Sequence, residues 1–351
     1  MNIYINGTAV ISAQNHLGEE AFPKTVHVPF DDHFRAQEPS YKEHIAPNMI
    51  RRMGRAIKMG VSAALRTLED AGISEADAVV CGTGIGCFED SEKFLLSIID
   101  HQENLLTPTA FIQSTHNTVG AQIALLIKCH QYNMTYVQRG FSFESALLDA
   151  MLLLAEGEAK HVLTGGIDEL TPGYLTLQKR AGYIKSSAYT GERLRDDPTP
   201  GHYLGEGAGF FVLSSLQTTA TYARLQAVTL LHNPASLALA VNAFLQEQGL
   251  EPAAISLVLT GHSGDVRYES QMQALQLGYL NGCPQLDFKQ YCGEYMTSGS
   301  FALWLAASLL KTNSAPPALI SSGTVPTNIA HVLIVNHFRD DDYSLILVSR
   351  C

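Results

Sequence analysis

Short apolar runs of strand length alternate along the whole chain with longer segments that carry apolar residues at helical spacing. This alternation restricts the possible folds more than any other feature of the sequence. Residues 2–12 alternate apolar and polar as a strand does, and 78–81, 134–137 and 161–164 read as short buried strands. Helical patterns cover 50–71, 91–99 and 143–157, with stops at Gly72 and Gly157, and 108–128 begins as a turn and becomes an apolar helix. The plan then begins again. Strands are expected at 223–230, 255–260, near Asp287 and near Leu319, and helices at 236–248, 269–277 and 297–310. A hairpin of 330–336 and 343–349, joined by Arg339-Asp340-Asp341-Asp342, closes the chain. Residues 16–48 and 172–204 are polar and irregular and read as excursions. The pattern predicts an α/β fold with buried sheets. Its repetition predicts two similar halves, 1–215 and 216–351, in one unit.

Composition narrows the function. Hydrophobic residues make up 46% and charged residues 16% of the 351, the profile of a well-buried protein with surface left for a partner. A formal net charge of −11 argues against nucleic acid or an anionic membrane as the main partner. Arg51, Arg52, Arg55 and Lys58 form the densest basic cluster, either a solvated helix face or a docking patch for an acidic protein. The six cysteines are scattered with no C-x-x-C pair, so free thiols in a reducing cytosol are expected. No charged-then-apolar leader and no membrane-length apolar run is visible, and a cytoplasmic location is expected. The glycine run 82–86 lacks a following Lys-Ser/Thr pair and is a weak nucleotide signal. No cofactor or metal is expected.

Three segments, in order, carry a family resemblance. Residues 156–168 pair a helix end with a strand through Gly165-Gly166; 204–213 read LGEGAGFFVL; 289–294 read KQYCGE. Together they resemble the thiolase-fold β-ketoacyl synthases across nearly the whole chain. The resemblance implies a thiolase-like αβαβα layered fold. It also implies a site in which a cysteine at a helix N-terminus takes the acyl chain, its thiol acidified by the helix. Two histidines assist decarboxylation and stabilise the enolate and oxyanion.

Counted back from Gly165-Gly166, the nucleophile position falls on Gly140, which has no side chain. Ser142 is close, but no base adjoins it in sequence, and a helix cap is its expected role. The second histidine position holds Glu294, whose charge would repel an enolate. The first aligns with Gly261, leaving His262 one residue late, with either an inward or a turn role. Lys289 matches the family lysine and is expected to hold the site's backbone by an ion pair. Residues 336–343 replace the family's glycine-rich C-terminal loop. These changes resemble the chain length factors, degenerate subunits that pair with an active ketosynthase. Residues 80–90 and 111–117 (FIQSTHN) are similar in particular to small chain length factors of aryl polyene pathways. The expected partners are an active ketosynthase, in a heterodimer, and, indirectly, an acyl carrier protein. Phe111, Ile112, Thr115, His116 and Val119 are the candidates for the interface and tunnel end; as ordinary core they would show the same helical spacing. Two alternatives stay open: an acyltransferase with a relocated nucleophile, Ser142 or Cys292, and a purely stabilising scaffold.

Overall fold

The computed structural model describes residues 1–14, 33–104, 106–189, 194–339 and 341–351. Among these residues ten strands form one sheet: β1 (Ile3–Ile11), β2 (Ala78–Gly82), β3 (Tyr132–Tyr136), β4 (His161–Asp168), β5 (Gly207–Ser214), β6 (Ala223–His232), β7 (Leu257–Thr260), β8 (Gln285–Asp287), β9 (His331–Phe338) and β10 (Asp342–Ser349). Their spatial order is β8-β7-β9-β10-β6-β1-β5-β4-β2-β3. Each run of five repeats one order, 1-5-4-2-3 and then 6-10-9-7-8. The runs meet where β1 pairs antiparallel with β6, Ile3 opposite Leu225. His33–Phe34 and Leu204–Gly205 form a separate parallel pair.

Among the described residues the α-helices longer than one turn are α1 (Arg55–Asp70), α2 (Phe88–Asp100), α3 (Pro108–Gln113), α4 (Thr118–Leu126), α5 (Ser142–Glu156), α6 (Pro172–Arg180), α7 (Leu237–Glu247), α8 (Ser270–Leu277) and α9 (Gly299–Thr312). Three apolar clusters hold them to the sheet. Helices α1 and α4 pack on one outer face through Ile57, Val61, Val119 and Ile123. Helices α5 and α9 lie in the centre through Leu147, Leu154, Phe301 and Leu309, against strands of both runs. Helices α7 and α8 cover the other outer face through Val241, Phe244 and Met272. The alanine- and leucine-rich pattern that predicts α5 is the pattern of a helix buried on several sides. It stops at Gly157, which is left-handed at φ 74°.

The structure corrects several sequence expectations. The segment 108–128, expected to begin as a turn and become one helix, holds two helices, because the expected turn is itself helical over Pro108–Gln113. Side-chain hydroxyls bond the backbone at the break: Ser114 Oγ donates to the Phe111 carbonyl at 2.8 Å and Thr118 Oγ1 to the Ile112 carbonyl at 3.4 Å. Residues 172–204 are not wholly irregular, because Thr171 caps α6 by accepting from the Tyr174 N–H at 3.1 Å, with Pro172 in the first turn. The region near Leu319 is a 3-10 turn, Pro317–Leu319, not a strand. The closing hairpin is longer than expected, since pairing runs to Phe338 opposite Asp342. Of the excursion at 16–48, residues 16–32 lie outside the described residues, and the rest includes one-turn helices at Tyr41–Glu43 and Pro47–Ile50.

Candidate functional site

Strand β3 runs into a 3-10 turn, Arg139–Phe141, and then into α5, so Gly140 sits immediately before the helix. It is buried. A Cβ placed on it would run into the Cβ of Phe338 and lie 2.9 Å from Cγ of that ring. Phe338 ends β9, and the guanidinium groups of Arg139 and Arg339 each lie 5.4 Å from its ring centre. The position is therefore both without a side chain and closed by a neighbour. Ser142 is buried, but it does not make the expected cap to α5. Its Oγ instead accepts from the Gln138 N–H at 2.8 Å and donates to the Arg139 carbonyl at 2.8 Å, locking the turn. Cys292 is fully buried, and burial pushes its thiol well above the usual range. Neither has the environment of an activated nucleophile.

Lys289 and Glu294 meet in a buried ion pair. Lys289 Nζ donates to Glu294 Oε2 at 2.7 Å and to the His337 carbonyl at 2.6 Å, tying the one-turn helix Lys289–Cys292 to β9. Burial raises Glu294 despite the ammonium beside it, and its Oε1 has no hydrogen-bond partner. His262 points into the protein. Its Nδ1 contacts Glu269 Oε2, while Glu269 Oε1 accepts from the Ser263 N–H at 2.8 Å and the Gly264 N–H at 3.1 Å. Burial opposes charge on both groups, yet the pairing wins: Glu269 is held well below the usual carboxylate range and His262 is raised.

Three members of this cluster were missed in the sequence. His337 Nε2 lies 3.7 Å from Glu269 Oε1, and its Nδ1 is 2.7 Å from the Arg339 carbonyl. Glu269 itself read as the start of a helix. Glu144, in the first turn of α5, is fully buried; Ser344 Oγ donates to its Oε1 at 3.0 Å, and burial pushes it up to about 7. A cavity of about 30 Å³, room for a water or two, is lined by Tyr174, His202, Glu294, Met296, Phe338 and Arg339. Burial drives His202 down to about 3, so that ring is neutral.

The tunnel and interface candidates separate. Phe111, Ile112, Thr115 and His116 are exposed, whereas Val119 is core, packed over Gly60 of α1. Phe111 and Ile112 are 56% and 64% exposed, large for apolar side chains, and Phe111 rests on Phe94 of α2 at 5.2 Å. Of the basic cluster, Arg55 is structural, paired with Glu38 and with the buried Glu206. Arg51 and Arg52 remain exposed. The glycine run is not open to a phosphate, because Asp168 already accepts from the Gly84 N–H at 2.8 Å and the Ile85 N–H at 3.1 Å. All six cysteines are free thiols. Among the described residues no helix is long and apolar enough to cross a membrane, and no cluster of three His, Cys, Asp or Glu stands ready for a metal.

Comparison with known proteins agrees with this frame. The model of the beta-ketoacyl synthase N-terminal domain matches residues 20–219, more than half of the chain. The chain belongs to the β-ketoacyl synthase family. It is similar to the "Putative polyketide beta-ketoacyl synthase 1" of Streptomyces virginiae, 26% identical over 316 residues, covering 78% of this chain and 73% of that protein. Among solved structures, the ishigamide ketosynthase/chain length factor superposes with a TM-score of 0.80 at 18% identity, covering 100% of this chain and 99% of that one. A beta-ketoacyl synthase from Burkholderia phymatum STM815 gives 0.79 at 18%, with coverage of 100% and 99%. A ketosynthase in complex with its chain length factor from Xenorhabdus doucetiae gives 0.76 at 14%, with coverage of 100% and 98%. These likenesses establish the fold, the thiolase-like α/β fold of the ketosynthases.

Proposed function

We propose that this chain is a non-catalytic chain length factor. It pairs with an active β-ketoacyl-acyl carrier protein synthase, closes the end of that partner's acyl tunnel and helps set product length in polyketide biosynthesis. The observation that carries the reading is Gly140 beneath Phe338: the position that would bear the acyl group has no side chain and no room for one. The Lys289–Glu294 pair supports it, because a buried carboxylate at a decarboxylation site opposes the enolate that must form there. Exposed Phe111 and Ile112 support pairing. Relatives that include ketosynthase–chain length factor pairs favour the same reading, and sequence likeness at 80–90 and 111–117 favours an aryl polyene pathway within that class. On this proposal the halves divide at 215/216, the carrier protein meets the pair chiefly through the ketosynthase, and the work is cytoplasmic. The decisive experiment incubates the purified chain, alone and with its ketosynthase, with an acyl-loaded carrier protein and weighs both subunits. The expected adduct is on the ketosynthase only, from a 1:1 complex. An acyl adduct on this chain, at Ser142, Cys292 or elsewhere, overturns the proposal in favour of an acyltransferase with a relocated nucleophile.

A further inference from the structure

A second cavity, of about 210 Å³, opens between residues 194–198, the segment after β7, and helix α8. A site of about 150 Å³ holds benzene, so this one has space for a small organic molecule. Its wall is two-sided. Leu194, Pro198, Val266 and Leu277 form the apolar side, and Val266 and Leu277 stand 45% and 80% exposed at the mouth. Arg195, His262, Glu269 and Gln276 form the polar side.

The hydrogen-bonding capacity of that polar side is unbalanced. Its carboxylates are already engaged: Glu269 holds His262 Nδ1 and the Ser263 and Gly264 N–H groups, and Asp287 behind the wall takes Arg195 through Nε at 2.7 Å and Nη2 at 2.6 Å. Two nitrogens are buried with no partner, His262 Nε2 and Gln276 Nε2. Glu269 favours the protonated imidazole, in which both ring nitrogens donate. Unspent donors in a buried wall cost free energy until an acceptor arrives.

We propose that this cavity is a binding site for a small amphipathic molecule with an apolar body and a hydrogen-bond-accepting head, a carboxylate or a carbonyl. The head lies toward His262, Arg195 and Gln276, and the body lies under Val266 and Leu277. The site is separate from the Gly140 position and does not depend on the chain being non-catalytic.

Hexanoate, hexanamide and hexylammonium share one apolar body and differ in the head. Saturation-transfer NMR and calorimetry on the full chain should show hexanoate and hexanamide binding and no competition from hexylammonium. Leu277→Trp, at an exposed position that leaves the fold intact, should weaken hexanoate at least tenfold by filling the mouth. Gln276→Leu should weaken it by a similar factor by removing a donor. Binding of hexanoate but not hexanamide would assign the head as carboxylate. No detectable hexanoate binding, equal binding of hexylammonium, or affinity unchanged in Leu277→Trp overturns the site.

Discussion

Glu144 shows what burial does to one residue of this fold. Its carboxyl sits in the first turn of α5 with one oxygen bonded to Ser344 and the other without a partner. Burial dominates, and the group titrates at about 7 instead of 4.5. The folded state therefore holds a proton that the unfolded chain releases, so this residue's contribution to stability is present below pH 4.5 and lost as pH rises to about 7. At about 1.4 kcal/mol per unit, the loss is on the order of 3 kcal/mol. Glu144→Gln keeps the shape and removes the titration. Urea unfolding at pH 5 and pH 7.5 should show the variant gaining on the parent as pH rises; a difference that does not move with pH refutes this account. Glu294 is raised by burial as well, but it has a cation 2.7 Å away in Lys289. Lys289→Met alone should cost roughly 3–5 kcal/mol, and Lys289→Met with Glu294→Leu should recover most of it. If the double variant is as unstable as the single one in the same unfolding assay, the lysine's bond to the His337 carbonyl is the greater contributor.

At the scale of elements, α3 and the turn after it form an exposed, partly apolar segment. The Ser-Thr-His-Asn stretch at 114–117 breaks the helix and leaves Thr115 and His116 at the surface beside Phe111 and Ile112. On the proposed function, Thr115→Trp or His116→Trp adds bulk at the tunnel end, and mass spectrometry of the product should show shorter chains at unchanged acylation of the ketosynthase. Unchanged product length removes this turn from the tunnel. The sequence placed these residues on one segment, but their exposure was not legible in it. Apolar spacing at 108–128 could not distinguish Phe111 at the surface from Val119 in the core, because both satisfy one helical period. Strands and long helices were legible for the same reason that this distinction was not: periodicity reports which face is apolar, not what covers it. Helix α6 was missed under the weight of its polar residues, although Thr171-Pro172 carried its start signal. Gly140, Lys289 and Glu294 stood out by position in a motif. Glu144, Glu269 and His337 had no such marker, since their roles arise only where α5, β9 and the segment after β7 converge.

The two ends of the sheet differ, and that difference argues for a partner at one end of the whole molecule. Strand β8 is buried throughout, and its free edge is taken by residues 321–322: the Gln285 N–H donates to the Ser322 carbonyl at 2.8 Å and the Ser321 N–H to the Gln285 carbonyl at 2.8 Å. Strand β3, at the opposite end, is partly to fully exposed along its length, with Met134 at 42% and Val137 just beyond it at 45%. An open edge with apolar side chains is a template for another chain, and folded proteins ordinarily cover or charge such an edge. The exposed Leu95, Leu96 and Ile99 of α2 add apolar surface to that of α3, against which α2 packs. If the ketosynthase covers this end, it binds the folded chain and not the unfolded one, so it must stabilise the fold by mass action, by about 2.7 kcal/mol at a hundredfold excess over Kd. The melting temperature of the complex should then fall on dilution toward that of the lone chain. Met134→Lys with Val137→Lys should abolish the dilution dependence by preventing assembly, while shifting the lone chain's own stability by no more than about 0.5 kcal/mol per exposed site. A complex that melts independently of concentration, or that forms undiminished with both lysines in place, places the partner elsewhere on the surface.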